Sequence, residues 1–293
     1  MIAVTYIGTD GSTWNLRDIR QDGHSVFLTD GGLQGLGMPD FDFFTQSGPI
    51  TVGQRLTGFR SQSRKVYLPL LVGVNLPEDQ FLDLSRRWWL ANAPGEYGRL
   101  VVTTGDGLSR SIRIRFQDDG GKTLEGDPTE DGSDLLGLTY MADYPFWKSP
   151  LIRSSFTNDP GVDFFGGAAG ATPFYISPSN RTVDATITNG GDVAAWGVYT
   201  LRGPLDSWAI RVAGGNVGPY QLATGDVLVV DSNPDVQSAI LTRANGTVAD
   251  VTADLPNIDW RPIPKGASVP LQLQFSGSGS IDVDLPALYY RGY

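Results

Sequence analysis

The chain has 293 residues, which is enough for two domains of ordinary size. It contains no cysteine, so disulfides, thiolate metal sites and cysteine nucleophiles are excluded. The 32 acidic residues outnumber the 22 basic ones and give a formal charge of −10, which disfavours sequence-independent binding to nucleic acid. Residues 1–10 show no secretory signal, and no stretch is long and apolar enough to span a membrane, so we expect folding in a cytoplasm.

The early part of the chain offers no catalytic pattern. His24 is the only histidine, and no G-x-S-x-G elbow exists to partner it, so a catalytic role is not expected. Residues 31–37 are rich in glycine but lack the G-x-G-x-x-G spacing of a nucleotide loop, so they are predicted to form an ordinary loop. The apolar rings that follow either order this loop against its neighbours or form a subunit contact, because exposed apolar clusters mark interfaces. They are Phe41, Phe43 and Phe44.

Two strands and one helix follow. Apolar and polar residues alternate in residues 65–74 and 110–117, which is the period of a strand with one buried face. Between them, helical spacing predicts a helix from about residue 77 to residue 92, with Asn75 as its N-cap. Its buried stripe is predicted to consist of Phe81, Leu84 and Trp88.

Trp89 cannot share that buried stripe. Adjacent helical residues point about 100° apart, so Trp88 and Trp89 cannot both face the same core. Trp89 is therefore predicted to lie against a second surface, for which a neighbouring subunit is one candidate.

Residues 118–134 are acidic and rich in glycine, and they predict a mobile loop or hairpin tip. Their carboxylates could bind a hard cation, but they miss the D-x-[DN]-x-[DN]-G spacing of a calcium loop, so a solvated loop is favoured. A stretch rich in Gly and Ala, residues 158–172, is typical of a domain junction. We therefore divide the chain into domains at residues 1–150 and 151–293.

The second half contains short strands without a helix, which predicts a β-sandwich. Three of its tryptophans, Trp196, Trp208 and Trp260, either fill the sandwich interior, which is the favoured reading, or form a platform that stacks on sugars. The predicted strands lie at residues 182–188, 198–202, 208–212, 227–230, 239–242, 271–275 and 281–285.

The order of these segments resembles that of siphophage distal tail proteins. In the first half, Gly58, Arg60 and Arg64 precede an apolar strand and a helix ending in Trp88-Trp89, and Met141-Ala142-Asp143-Tyr144-Pro145-Phe146-Trp147 closes the domain. In the second half, Gly225-Asp226 precedes an apolar strand, and the chain closes with Tyr289-Tyr290-Arg291-Gly292-Tyr293. The resemblance covers nearly the whole chain and rests on order and spacing.

The resemblance implies an all-β protein of two β-sandwich domains, the first with one α-helix and the second galectin-like. It further implies a homo-hexameric ring at the distal end of a phage tail tube, in the virion tail tip. Tail tube protein would lie above the ring, hub or receptor-binding proteins would lie below it, and DNA would pass through without binding. The subunit interface is expected at Phe41, Phe43, Phe44 and Trp89, and no catalytic, cofactor-binding or metal site is predicted.

A second class of function stays open at this point. A β-sandwich with surface tryptophans is also typical of a carbohydrate-binding module that recognises host surface glycans. An enzyme is not expected, because the sequence carries no glycosidase or esterase motif.

Overall fold

The structure is a computed structural model that describes residues 2–17, 23–30, 32–50, 52–122, 126–150, 152–157, 180–234 and 236–293. Strands account for 48% of the residues and helices for 8%, so the fold is all-β, as predicted. The chain divides into two compact units, Met1–Pro150 with Tyr289–Tyr293, and Leu151–Leu288. The division drawn from the sequence had placed residues 289–293 in the second domain. The predicted Gly-rich junction at residues 158–172 lies outside the described residues.

The first unit is built on a path of seven antiparallel strands, in the order β2-β1-β7-β8-β9-β6-β3, and β10 also pairs with β8. Strands β4 and β5 form a separate two-stranded sheet. The strands are β1 Ala3–Ile7, β2 Thr13–Asn15, β3 Val26–Leu28, β4 Phe41–Gln46, β5 Arg55–Ser61, β6 Arg64–Val72, β7 Gly98–Thr103, β8 Ser109–Asp118, β9 Asp134–Ala142 and β10 Trp147–Lys148.

One apolar core joins all parts of this path. Alternate residues of β1, β6, β7, β8 and β9 enter the same cluster of buried side chains, as the period of two in the sequence predicts. The long strand β6 is buried along most of its length because it lies between β9 and β3. The two predicted strands at residues 65–74 and 110–117 are therefore confirmed as β6 and β8, within two residues at each end.

Helix α1 spans Glu78–Leu90, slightly shorter than the predicted residues 77–92. Its buried stripe is Phe81, Leu84 and Trp88, as predicted. The predicted N-cap was wrong. Pro77 occupies the cap position without a side-chain hydrogen bond, and Asn75, with a φ of 50°, lies two residues before that position. Proline suits this position because the first helical amides lack intrahelical partners.

Aromatic rings surround Trp88 below the helix. Trp14 and Tyr6 approach it edge to face, with ring centroids at 5.2 and 5.6 Å. The hydroxyl of Tyr6 donates to the Ala91 carbonyl at 2.9 Å, and the hydroxyl of Tyr140 donates to Asn92 Oδ1 at 2.6 Å. Burial raises the pKa of both tyrosines, so both hydroxyls stay protonated and tie the end of the helix to the sheet.

The acidic segment is more ordered than the predicted loop. Strand β8 extends into it as far as Asp118, and a one-turn helix, α2, spans Pro128–Asp131. The carboxylate of Asp127 accepts from the backbone N of Thr129 at 2.9 Å and so caps α2, while Gly132 ends it in the left-handed conformation. Residues 123–125 of this segment lie outside the described residues.

The second unit is a β-sandwich. A six-stranded sheet, β11-β21-β13-β16-β17-β18, and a five-stranded sheet, β12-β20-β14-β15-β19, bury their facing side chains in one core. A 3₁₀ turn lies at Thr252–Asp254. The strands are β11 Ile152–Thr157, β12 Asn180–Thr188, β13 Val198–Arg202, β14 Ser207–Val212, β15 Gly215–Gly218, β16 Val227–Asp231, β17 Ser238–Thr242, β18 Val248–Asp250, β19 Asn257–Ile258, β20 Ser268–Ser276 and β21 Ser280–Leu285, and β22, Leu288–Tyr289, leads back to the first unit.

All seven strands predicted in this half are confirmed, each within three residues of its predicted ends. The strands that were missed are the edge strands β11, β18 and β19 and the short β15. Edge strands and strands of two to four residues give little periodicity because few of their side chains enter the core.

The orientation of α1 can be tested by comparing one substitution on its buried face with one on its exposed face. Leu84→Asp should lower the free energy of unfolding by about 3 kcal/mol or more, because it buries an unpaired charge under the helix. The exposed Glu78→Ala should cost less than about 1 kcal/mol. Thermal unfolding of the two variants measures the difference, and equal losses would contradict the buried stripe.

The second unit should fold without the first. A fragment of residues 151–288 contains both sheets and the whole sandwich core, so we expect a soluble monomer that unfolds cooperatively. Near-UV circular dichroism and denaturant titration would measure this. A fragment without aromatic dichroism, or one that forms large oligomers, would contradict the boundary.

Candidate assembly surface

The two-stranded hairpin β4–β5 is the most exposed apolar element of the first unit. Its strands pair antiparallel, with Phe43 opposite Phe59, and the register shifts between Phe44 and Thr45. Among the described residues no third strand pairs with either edge. The hairpin therefore offers unpaired strand edges as well as side chains.

Both faces of this hairpin carry exposed apolar groups. Adjacent residues of a strand point to opposite faces, and the neighbours Phe43 and Phe44 are 63% and 52% exposed. We call the exposed apolar residues of the hairpin the hairpin patch. Neighbouring exposed apolar groups are typical of interaction sites, because their burial contributes a favourable hydrophobic free energy. It comprises Phe43, Phe44, Ile50, Val52, Leu56 and Phe59.

The base of the hairpin is anchored in the first unit. The ring of Phe41 contacts the rings of Phe59 and Tyr290, both with centroids at 5.6 Å. The carboxylate of Asp42 accepts from Arg60 at 2.6 Å and from the Gln62 side chain, and these hydrogen bonds, that from Arg60 first, lower the pKa of Asp42. Because Arg60 is mostly exposed, this ion pair adds little stability, and the contact of Phe41 with Tyr290 is the stronger anchor of the hairpin to the rest of the unit.

The buried guanidinium of Arg64 lies beside this base. Its three nitrogens donate to four backbone carbonyls, at 2.8 Å for Gly35, 2.5 Å for Gly37, 3.0 Å for Pro145 and 2.5 Å for Tyr290. Burial lowers the pKa of Arg64 to about 10, so the group still carries its charge at neutral pH. One side chain thus fixes three separate segments. Only a planar fork of donors can do this, since lysine has a single ammonium.

Gly35 is needed for this arrangement. Its φ is 92°, and a Cβ at this position would lie 2.6 Å from the Lys65 carbonyl oxygen. The neighbouring Gln34 pairs with Tyr67 through two backbone hydrogen bonds of 3.1 and 3.3 Å. The predicted glycine-rich loop is therefore pinned to β6 from residue 34 onward.

The residues of the closing segment, Asp143–Trp147, make separate contacts within the first unit. Asp143 accepts from Arg115 at 2.8 Å and from the Tyr97 hydroxyl at 2.6 Å, and the hydrogen bond from Arg115 is the main cause of its lowered pKa. Phe146 contacts the Tyr290 ring at 5.8 Å, and Trp147 is fully buried in the core.

Comparison with known proteins gives one consistent result. No protein-family model and no curated protein sequence matches the chain. Solved structures do match. The Dit protein of phage SPP1, a hub of the adsorption apparatus in phages that infect Gram-positive hosts, has a TM-score of 0.58 at 13% identity, covering 97% of this chain and 98% of its own. A chain of the phage P2 baseplate in its activated conformation with Ca has a TM-score of 0.57 at 10% identity, and the form with Sr has 0.57 at 11%, both covering 98% of each chain.

The chain has the fold of a phage distal tail protein. The likeness extends over both units, as the resemblance in sequence had implied.

Within this distal tail fold, three of the four residues expected at a subunit interface are exposed. These are Phe43, Phe44 and Trp89, the last being 38% exposed with its ring edge-on to Phe116 at 6.0 Å. Phe41 instead packs on Tyr290 in its own unit. Leu56 and Phe59 were not predicted from the sequence, because only the pairing of β5 with β4 places Phe59 opposite Phe43 and Leu56 opposite Thr45.

His24 lines a pocket of about 260 Å³ with Trp14 and Arg87, and Arg87 Nη2 hydrogen-bonds to its Nε2. Among the described residues there is no cluster of metal-ligating side chains and no helix that could span a membrane.

The tryptophans of the second unit are mostly interior groups. Trp208 is 1% exposed and donates from Nε1 to the Tyr220 carbonyl at 2.6 Å, so it cannot stack on a sugar. Trp260 is half-buried and packs against the sandwich core, and Trp196 is also half-buried. This placement agrees with the favoured core reading and leaves no platform of three rings.

Arg64 should be irreplaceable by lysine. In Arg64→Lys the ammonium cannot reach carbonyls of three segments, so some stay buried without a donor, at a cost of about 2 kcal/mol or more. The exposed Arg99→Lys should be neutral and serves as the control. Chemical denaturation monitored by tryptophan fluorescence would compare them, and equal midpoints would contradict the role assigned to Arg64.

Proposed function

We propose that this chain is a structural component of a phage tail tip. Six copies form a ring at the distal end of the tail tube, with the first unit making the ring. The second unit, a galectin-like sandwich, meets baseplate or receptor-binding components, and tail tube protein lies above the ring. The protein is made in the host cytoplasm and works in the virion, and its role is assembly rather than catalysis.

The observation that carries this proposal is the shared fold. Likeness to the SPP1 Dit protein, described as a hub, extends over 97% of the chain and therefore includes both units and their order. A chance similarity between single β-sandwiches would cover one unit only. The six-fold stoichiometry comes from the resemblance to distal tail proteins.

The hairpin patch supplies a physical reason for assembly. A closed ring uses heterologous contacts, in which one surface of each copy binds a different surface of the next. The hairpin patch is apolar on both faces, and Trp89 provides a further exposed ring on the helix. Each copy carries a formal charge of −10, so apolar burial has to overcome repulsion between like-charged subunits.

The ring can be tested with one substitution and a matched control. The wild-type protein should have a mass in solution about six times the 31.6 kDa of one chain, and negative-stain images should show rings. Phe44→Asp should give monomers, because each contact would bury an unpaired carboxylate. Leu108→Asp, an exposed apolar residue outside the hairpin, should leave the ring intact.

A wild-type protein that stays monomeric at high micromolar concentration would contradict the ring. Equal assembly of wild type and Phe44→Asp would contradict the role of the hairpin patch and leave the ring in place.

The ring should not retain DNA. Affinity for duplex DNA rests on neutralising phosphates with Lys and Arg, and a channel that DNA traverses gains from the absence of such contacts. With a charge of −10 per copy, we expect no shift of a duplex in a gel at low salt. Retention that weakens as salt is added would contradict this expectation.

A further inference from the structure

Residues Tyr289–Tyr293, which we call the return segment, belong to the first unit although they follow the whole second unit in sequence. They are bound there in the way that an extended peptide is bound by a receptor. Arginine side chains donate to three of their carbonyls, the Gly292 amide is paired, and the ring of Tyr290 enters an aromatic cluster. Three separate contacts define this binding site.

Arg110, on strand β8, holds both ends of the return segment. Its Nη1 donates to the carbonyls of Arg291 at 2.8 Å and Tyr293 at 2.9 Å. The same guanidinium lies over the ring of Tyr289 at 3.7 Å from the centroid, a cation–π geometry. Both hydrogen bonds from Arg110 are made to backbone carbonyls, so they depend on the path of the segment and not on its side chains.

Gly292 fixes the path between those carbonyls. Its amide donates to the Leu36 carbonyl at 2.9 Å, and its Cα lies against the buried indole of Trp147. A Cβ at residue 292 would lie 3.0 Å from that ring, so a larger residue would push the segment away.

Tyr290 links the return segment to the hairpin β4–β5. Its ring contacts Phe41, the first residue of β4, at 5.6 Å and Phe146 at 5.8 Å. Its carbonyl accepts from Arg64, which also holds Gly35 and Gly37 just before β4. The return segment is therefore part of the support on which the hairpin stands.

The hairpin needs such support because it is only a two-stranded sheet. An isolated hairpin is marginally stable in water, and no third strand pairs with this one among the described residues. Phe41 contacts Phe59 within the hairpin and Tyr290 of the return segment, and the contact with Tyr290 attaches the hairpin to the rest of the unit.

We propose that the first unit contains a binding groove for an extended aromatic peptide, and that residues 289–293 of the same chain fill it. Filling this groove orders the hairpin β4–β5. Domains usually fold as the chain emerges, the first one first. Here the first unit stays incomplete until residue 293 is available, so a partly synthesised chain does not present an ordered hairpin patch. The link to assembly rests on the proposed ring, whereas the groove and the ordering of the hairpin do not.

The test compares two tyrosines of the return segment in the full chain. Tyr290→Ala removes both aromatic contacts, while Tyr293→Ala changes a half-exposed ring and keeps the backbone carbonyl that Arg110 holds. Both are made in the Phe44→Asp background, so that subunit contacts do not shield the hairpin. Trypsin cleavage after Arg55 and Arg60 in β5 is followed by mass spectrometry.

We expect cleavage in the hairpin to be about tenfold faster for Tyr290→Ala, because proteolysis follows the population of the opened form. Tyr293→Ala should match the background protein. Equal rates for Tyr290→Ala and the background would overturn the proposal. A second measurement uses a chain ending at residue 288 and a synthetic peptide of residues 288–293, which should restore protection in trans at saturating concentration.

The assembly step has its own readout. With the native Phe44, Tyr290→Ala should need a higher protein concentration than wild type to form rings. Identical assembly together with faster cleavage would overturn the link to assembly. A monomeric wild type with a protected hairpin would overturn the ring and support the groove, so the two failures are distinguishable.

Discussion

The first unit depends on one buried cation. Arg64 is removed from water, which costs several kcal/mol for an isolated charge, and four backbone carbonyls offset that cost. If any of the three segments moved away, the guanidinium would lose a partner in a medium of low dielectric constant. The loop before β4, the closing segment near Pro145 and the return segment at Tyr290 therefore keep their places together. Such a contact specifies one arrangement more than it adds stability.

Part of the fold could be predicted from the sequence, whereas the contacts made by Arg64 could not. Strand β20 and helix α1 carry their own period, because each buries one face, and their positions could be predicted from Leu271, Leu273 and Phe275 or from Phe81, Leu84 and Trp88. The hairpin β4–β5 has apolar residues on both faces, so alternation is lost. The partners of Arg64 are carbonyls, which have no signature in the sequence, and one of them lies 226 residues away.

Contacts to backbone carbonyls help to explain how a fold can be shared at 13% identity. Contacts between a side chain and a backbone carbonyl constrain the path of the chain while leaving the residue that supplies the carbonyl free to change. Arg64 and Arg110 both act in this way. A core position needs only an apolar group of suitable volume, as at Leu68 or Val102, and tolerates exchange. Few positions are then fixed in identity, so two chains can share this fold at low sequence identity.

In the proposed ring, the negative charge and the apolar surface have separate roles. A chain with a charge of −10 repels its copies at distances up to about a Debye length, roughly 8 Å at physiological salt, which opposes non-specific association. Apolar contact acts only at van der Waals range, so under the proposed function the hairpin patch would bind where the two surfaces match in shape, and repulsion elsewhere would disfavour other arrangements. On the proposed role of Tyr290, an ordered hairpin would present that shape, whereas a frayed hairpin would expose the same rings without it. Specific assembly would then require the support of the hairpin as well as its apolar surface.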